Sequence, residues 1–199
     1  MDLAEPLKTE VLRPLATLVV PGTIAVGPFV LVLGSYVPAV KDFWAQHPNA
    51  SAVLLAMCVV AAGYLMDEIS TSVEAHIFDK KLDVDKPGHK QVWNAYLQLQ
   101  LNDELVGQRY LRLKVTQLKF ELAMSPALLI FLLGLLWLQF LHVPWSWWGF
   151  MLVAVAIFCG SAYLLWEAWQ TAGILSDTRT LILKAIEQGP KGIQRKPDA

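Results

Sequence analysis

Four carboxylates, Asp67, Glu68, Glu121 and Glu167, stand where long charge-free stretches of this chain begin or end. Acidic side chains gathered at one depth of a membrane can form a ring that attracts cations or protons. The plainer expectation is that they solvate the interface and pair with Lys119, Arg112 or the basic residues near the end of the chain. A second group, Glu74, His76 and Asp79 with Glu68, is the richest set of metal-ligand types. A helical zinc site favours ligands four residues apart, as in His-Glu-x-x-His. Here that spacing joins Ser72 to His76, while Glu74 and His76, two apart, point away from each other. His76 therefore reads as an ordinary polar-face histidine, and no metal site is expected.

A third group is basic. Arg109 and Arg112 are i, i+3 neighbours on a helix, with Lys114 close behind, and can grip a phosphate or carboxylate. Pairing within the chain is the first expectation, lipid headgroups the second. Nucleic acid is not expected, because a basic cluster beside a membrane is explained by the membrane. The sequence holds no glycine-rich phosphate loop, nucleophile elbow or Cys/His zinc spacing, so no catalytic residue or cofactor is assigned. A membrane-embedded metal-dependent hydrolase or transferase using Glu68, Glu74 and His76 is the least supported reading.

The elements that position these residues follow from hydropathy. The chain has 199 residues, 55% hydrophobic and 17% charged, and residues 14–40, 43–66 and 122–166 contain no Asp, Glu, Lys or Arg. A spanning helix needs about 20 apolar residues. The expected fold is all-α and polytopic, with four transmembrane helices over residues 15–40, 51–66, 122–141 and 147–166. Residues 67–121 form a polar helical insert, 167–188 a further helix and 189–199 a disordered tail. Of 16 Lys and Arg, only Lys41 lies between the first two spans and none between the last two, while eight lie in the insert. The positive-inside rule places the insert and both termini in the cytoplasm. The expected location is a bacterial inner (plasma) membrane, multi-pass. Trp145, Trp147 and Trp148 then anchor the outer turn. Cys58 and Cys159 lie mid-span and read as small hydrophobes.

Local signals refine the outline. Pro21 and Pro28 predict a kink or break in the first span. The second has no Gly or Pro from Gly63 to Pro87, so a helix from Ser51 to Leu82, about 48 Å long, outruns a bilayer core of about 30 Å. On its extension Ile69, Val73 and Ile77 make an apolar stripe. Residues 83–88 read as a turn, and Ser176-Asp177-Thr178 as a fresh helix cap. Trp93, Tyr96, Leu97 and Leu101 supply a candidate partner surface.

In outline the chain resembles small four-span membrane proteins that assemble as oligomers and act with a cytosolic partner, some bacterial defence components among them. The likeness is one of architecture alone. The expected function is non-enzymatic: a homo-oligomeric membrane protein whose cytoplasmic helical layer docks a soluble partner or senses a signal. A cation-selective channel with an acidic inner mouth is the alternative.

Overall fold

The computed structural model describes residues 15–85, 88, 91, 106–141 and 146–188, and among them it is all-helical, with no strand. A π-helical turn, Leu15–Val19, leads into α1 (Val20–Tyr36). A short α2 (Pro38–Gln46) follows. Next, α3 (Pro48–Val73) runs on through a π-helical stretch, Glu74–Phe78, into α4 (Asp79–Asp85). Two long helices follow, α5 (Val106–Phe140) and α6 (Trp147–Gln188). Four stretches are long and apolar enough to cross a membrane: Thr17–Tyr36, Pro48–Asp85, Tyr110–Phe140 and Trp147–Lys184.

Prolines set the boundaries at one end of the bundle. The residue before a proline is pushed out of the α region. Val37 is extended ahead of Pro38, and His47 leaves the helical region ahead of Pro48. Each proline then opens a helix, where its missing N–H would have had no partner. The first span accordingly ends at Tyr36 rather than Val40, and Lys41 lies in helix α2. At the other end, beyond α4, Gly88 adopts φ +93°, the left-handed conformation that favours glycine.

Of the two sites expected to kink or break the first span, Pro28 lies inside an unbroken α1, whereas Pro21 stands in the first turn of α1, where the winding changes from π to α. Pro21 follows the π-helical turn, where the wider winding accommodates its missing hydrogen bond. Pro28 is buried against Gly134 of α5, where a side chain would come within 2.6 Å of the proline Cβ. The new helix start expected at Ser176 is also absent, because α6 is one helix from Trp147 to Gln188. The Thr178 hydroxyl donates back to the Ile174 carbonyl at 2.8 Å and caps nothing.

Two kinds of packing hold the helices together. In the charge-free region the contacts are made by small residues. Gly22 of α1 lies against the backbone of Val59 and Gly63 in α3, and Gly63 in turn against the backbone of Leu18. Ala25, Met66, Ala123 and Ala127 form a cluster where α1, α3 and α5 meet. Ser125 of α5 and Ser161 of α6 are both buried, their hydroxyls 2.8 Å apart, and each also donates to the other's carbonyl. Lipid tails are as apolar as leucine, so helices there gain from close approach and interhelical hydrogen bonds rather than from hydrophobic burial.

Large side chains take over where charges appear. Phe78, Leu82, Leu111, Leu118, Leu122, Ala168, Ala172 and Leu175 form the larger core, with Val73, Val115, Trp169 and Ile182 packed around it. Phe78 meets Trp169 edge to face at 5.3 Å. The stripe expected from Ile69, Val73 and Ile77 does not turn inward as a unit: Ile69 is 42% and Ile77 54% exposed. The inward row is instead Met66, Ser70, Phe78 and Leu82, with half-buried Glu74 in line. Steps of four drift about 40° around an α-helix. The π-helical winding at Glu74–Phe78 absorbs residues without that drift and keeps Phe78 and Leu82 on the core side.

Candidate functional site

Glu121 heads the charge-free part of α5 and is 4% exposed. Lys114, Gln117 and Glu121 lie three and four residues apart and so share one helix face. The Lys114 Nζ donates to Gln117 Oε1 at 2.9 Å, and Gln117 Nε2 donates to Glu121 Oε1 at 2.6 Å. From α6 the buried Thr171 hydroxyl donates to Glu121 Oε2 at 3.2 Å. Both carboxylate oxygens are thus held, one from each helix, and both donors are uncharged. Chemically this carboxyl group is a hydrogen-bond junction between α5 and α6, and a place where a proton can be held out of water.

The other three acidic candidates have different surroundings. Asp67 pairs with Lys119 across α3 and α5, Nζ to Oδ1 3.8 Å, the partnership anticipated from sequence. Glu68 is exposed on a shallow groove lined with Ile69, Ser72, Val73, His76 and Ile77. Glu167 is half-buried on α6, four residues before Thr171. Gln117 was findable in the sequence, being one turn before Glu121. Thr171 was not, because 50 residues separate the partners.

Glu74, His76 and Asp79 divide as their spacing implies. Glu74 stands eight residues, about 12 Å of helix, past the last residue of its charge-free stretch. Burial pushes its carboxyl above the ordinary carboxylate range, helped by Asp79 and opposed by Lys119 of α5 and Arg179 of α6. His76 faces the open groove instead, its exposed Nδ1 donating to the Ser72 carbonyl at 3.0 Å. Among the described residues no three of His, Cys, Asp and Glu come together to hold a metal ion.

In the basic group, Lys114 is engaged with Gln117 and lies 5.9 Å from the centre of the Tyr110 ring. Arg112 is exposed, and its carbonyl accepts from Thr116. The side chain of Arg109 and the candidate partner residues Trp93, Tyr96, Leu97 and Leu101 lie outside the described residues, as does Trp145. Trp147 and Trp148 are exposed at the start of α6, as an interfacial anchor requires.

The fold defines a class: a helical, multi-pass membrane protein with four candidate spanning helices. Beyond the class, no protein-family model, no curated protein and no solved structure matches this chain.

Proposed function

We propose that this chain is a non-enzymatic scaffold: a homo-oligomer in a bacterial inner (plasma) membrane whose cytoplasmic helical layer docks a soluble partner or senses a signal. The observation that carries the reading is the position of the larger core. Its members Phe78, Leu82, Leu111, Leu118, Ala172 and Leu175 come from the charged extensions of three different helices, outside the charge-free stretches. Burying large apolar side chains is a strong driving force only where water is the alternative. A core of that kind supports a layer that stands in water and holds its shape, which is what a docking platform needs. The skew of Lys and Arg toward the insert and the residues after Trp166 supports a cytoplasmic location for the layer. Ile77, Leu113 and Leu181 are exposed on those same extensions and offer apolar contact area.

Single-cysteine labelling in a variant without Cys58 and Cys159 tests the orientation. A membrane-impermeant maleimide should reach Phe43→Cys in intact cells with permeabilised outer envelopes, and Val84→Cys only after lysis. The opposite pattern overturns the topology. Native mass spectrometry from nanodiscs tests the assembly. An oligomer retaining a soluble protein, lost on Ile77→Arg with Leu181→Arg, supports the scaffold; a strict monomer retaining nothing sinks it.

A further inference from the structure

We propose that Glu121 is a proton-binding site whose ionisation state resets the contact between α5 and α6. A carboxylate taken out of water gives up hydration worth far more than two neutral hydrogen bonds, unless a cation stands against it. Glu121 is almost fully buried, and its hydrogen-bond donors are the Gln117 amide and the Thr171 hydroxyl. Among the described residues no cation forms an ion pair with Glu121. On α5, Lys114 reaches Glu121 only through Gln117, and Lys119 is paired with Asp67 of α3. On α6, Glu167 adds a second negative charge one turn from Thr171, and on α3 the facing charge is Asp67, paired with Lys119. The first span contributes no charged residue, since residues 14–40 contain none.

Thr171 supplies the second half of the device. Thr23, Thr116, Thr178 and Thr180 all donate to the carbonyl four residues earlier in their own helix. Thr171 turns its hydroxyl across the interface to Glu121 Oε2 instead. When a proton from the aqueous face adds to Oε2, that oxygen becomes a donor, and two O–H groups cannot point at each other. The Thr171 hydroxyl then returns to the Glu167 carbonyl, the pattern of the other threonines, and its oxygen accepts from the new carboxyl O–H. No other bond forms or breaks. Gln117 keeps its bond to Oε1, so the change is confined to the link between the two helices.

Infrared difference spectroscopy of the full chain in lipid nanodiscs reads this directly. The expected result is a neutral-carboxyl band that titrates between acid and alkaline pH and is missing from Glu121→Gln. Thr171→Val removes a charge-assisted hydrogen bond to the charged form and a weaker neutral one to the protonated form, so the midpoint should rise by the difference, about one pH unit or less. Glu167→Gln removes a like charge and should lower it. A wild-type spectrum with no titrating buried carboxyl overturns the proposal without any variant. So does, in a Glu74→Gln background that silences the other raised carboxyl, a band that survives Glu121→Gln, or a midpoint indifferent to Thr171→Val in a folded protein.

Discussion

Adding one methyl group to Gly63 should separate α1 from α3. A Cβ built there collides with the Leu18 carbonyl oxygen and lies 2.7 Å from its carbon and 3.0 Å from the Leu18 Cα. Carbon atoms pack at about 3.5–4.0 Å, so the helices must part locally by about 0.8 Å or more. All three of these atoms are backbone, so no side chain can swing aside. A gap of about 0.5–1 Å forfeits a quarter to a half of each van der Waals well it opens. Overpacking of this sort costs about 1–3 kcal/mol. Gly22→Ala meets the mirror-image obstacle, its Cβ 2.8 Å from the Gly63 nitrogen. Because both changes push the same two helices apart, the double variant should cost clearly less than the sum of the singles. Equilibrium unfolding in mixed micelles, followed by tryptophan fluorescence, measures all three. Unchanged stability for Gly63→Ala, or strict additivity of the pair, would refute the close approach of α1 and α3.

The two solvents can be told apart by truncation. Phe78→Ala, in the larger core, should cost about 3–5 kcal/mol, whereas Leu133→Ala, 60% exposed within the third span, should cost about 0.5 kcal/mol or less in the same unfolding assay. Equal costs would argue against an aqueous layer. Glu74 gives a pH dependence whose sign follows from its raised carboxyl. Between the ordinary value of 4.5 and the higher folded-state value, the folded protein holds more protons than the unfolded chain. Stability is therefore lost as pH rises through that window and stays lower above it. Glu74→Gln should raise stability at neutral pH and remove this decline; a neutral variant less stable than wild type would show that Lys119 and Arg179 outweigh burial.

Much of this protein is written locally in the sequence, and the reason is physical. Whether a stretch dissolves in hydrocarbon depends on its own side chains, so four spans follow from the absence of charge in residues 14–40, 43–66 and 122–166. The positive φ of Gly88 is equally local, because glycine adopts it without steric cost. The pairing of Asp67 with Lys119 was within reach because oppositely charged residues at matching depths of adjoining helices have few other partners.

Tertiary structure decided which face of each helix turns inward, and here local patterns misled. The sequence offers Ile69 and Ile77 as the buried stripe, yet the fold buries Ser70 and half-buries Glu74 and leaves the isoleucines open. Neighbouring helices make this tolerable: Lys119 and Arg179 offset the Glu74 charge, and π-helical winding realigns Phe78 with the core. Pro28 stays inside a helix because Gly134 leaves room for its ring, and α6 passes Ser176 because nothing interrupts its backbone ladder. Thr171 finds Glu121 only because α5 and α6 pack together. Solubility in a bilayer is a property of each segment alone, whereas the choice of partner depends on distances that no single segment contains.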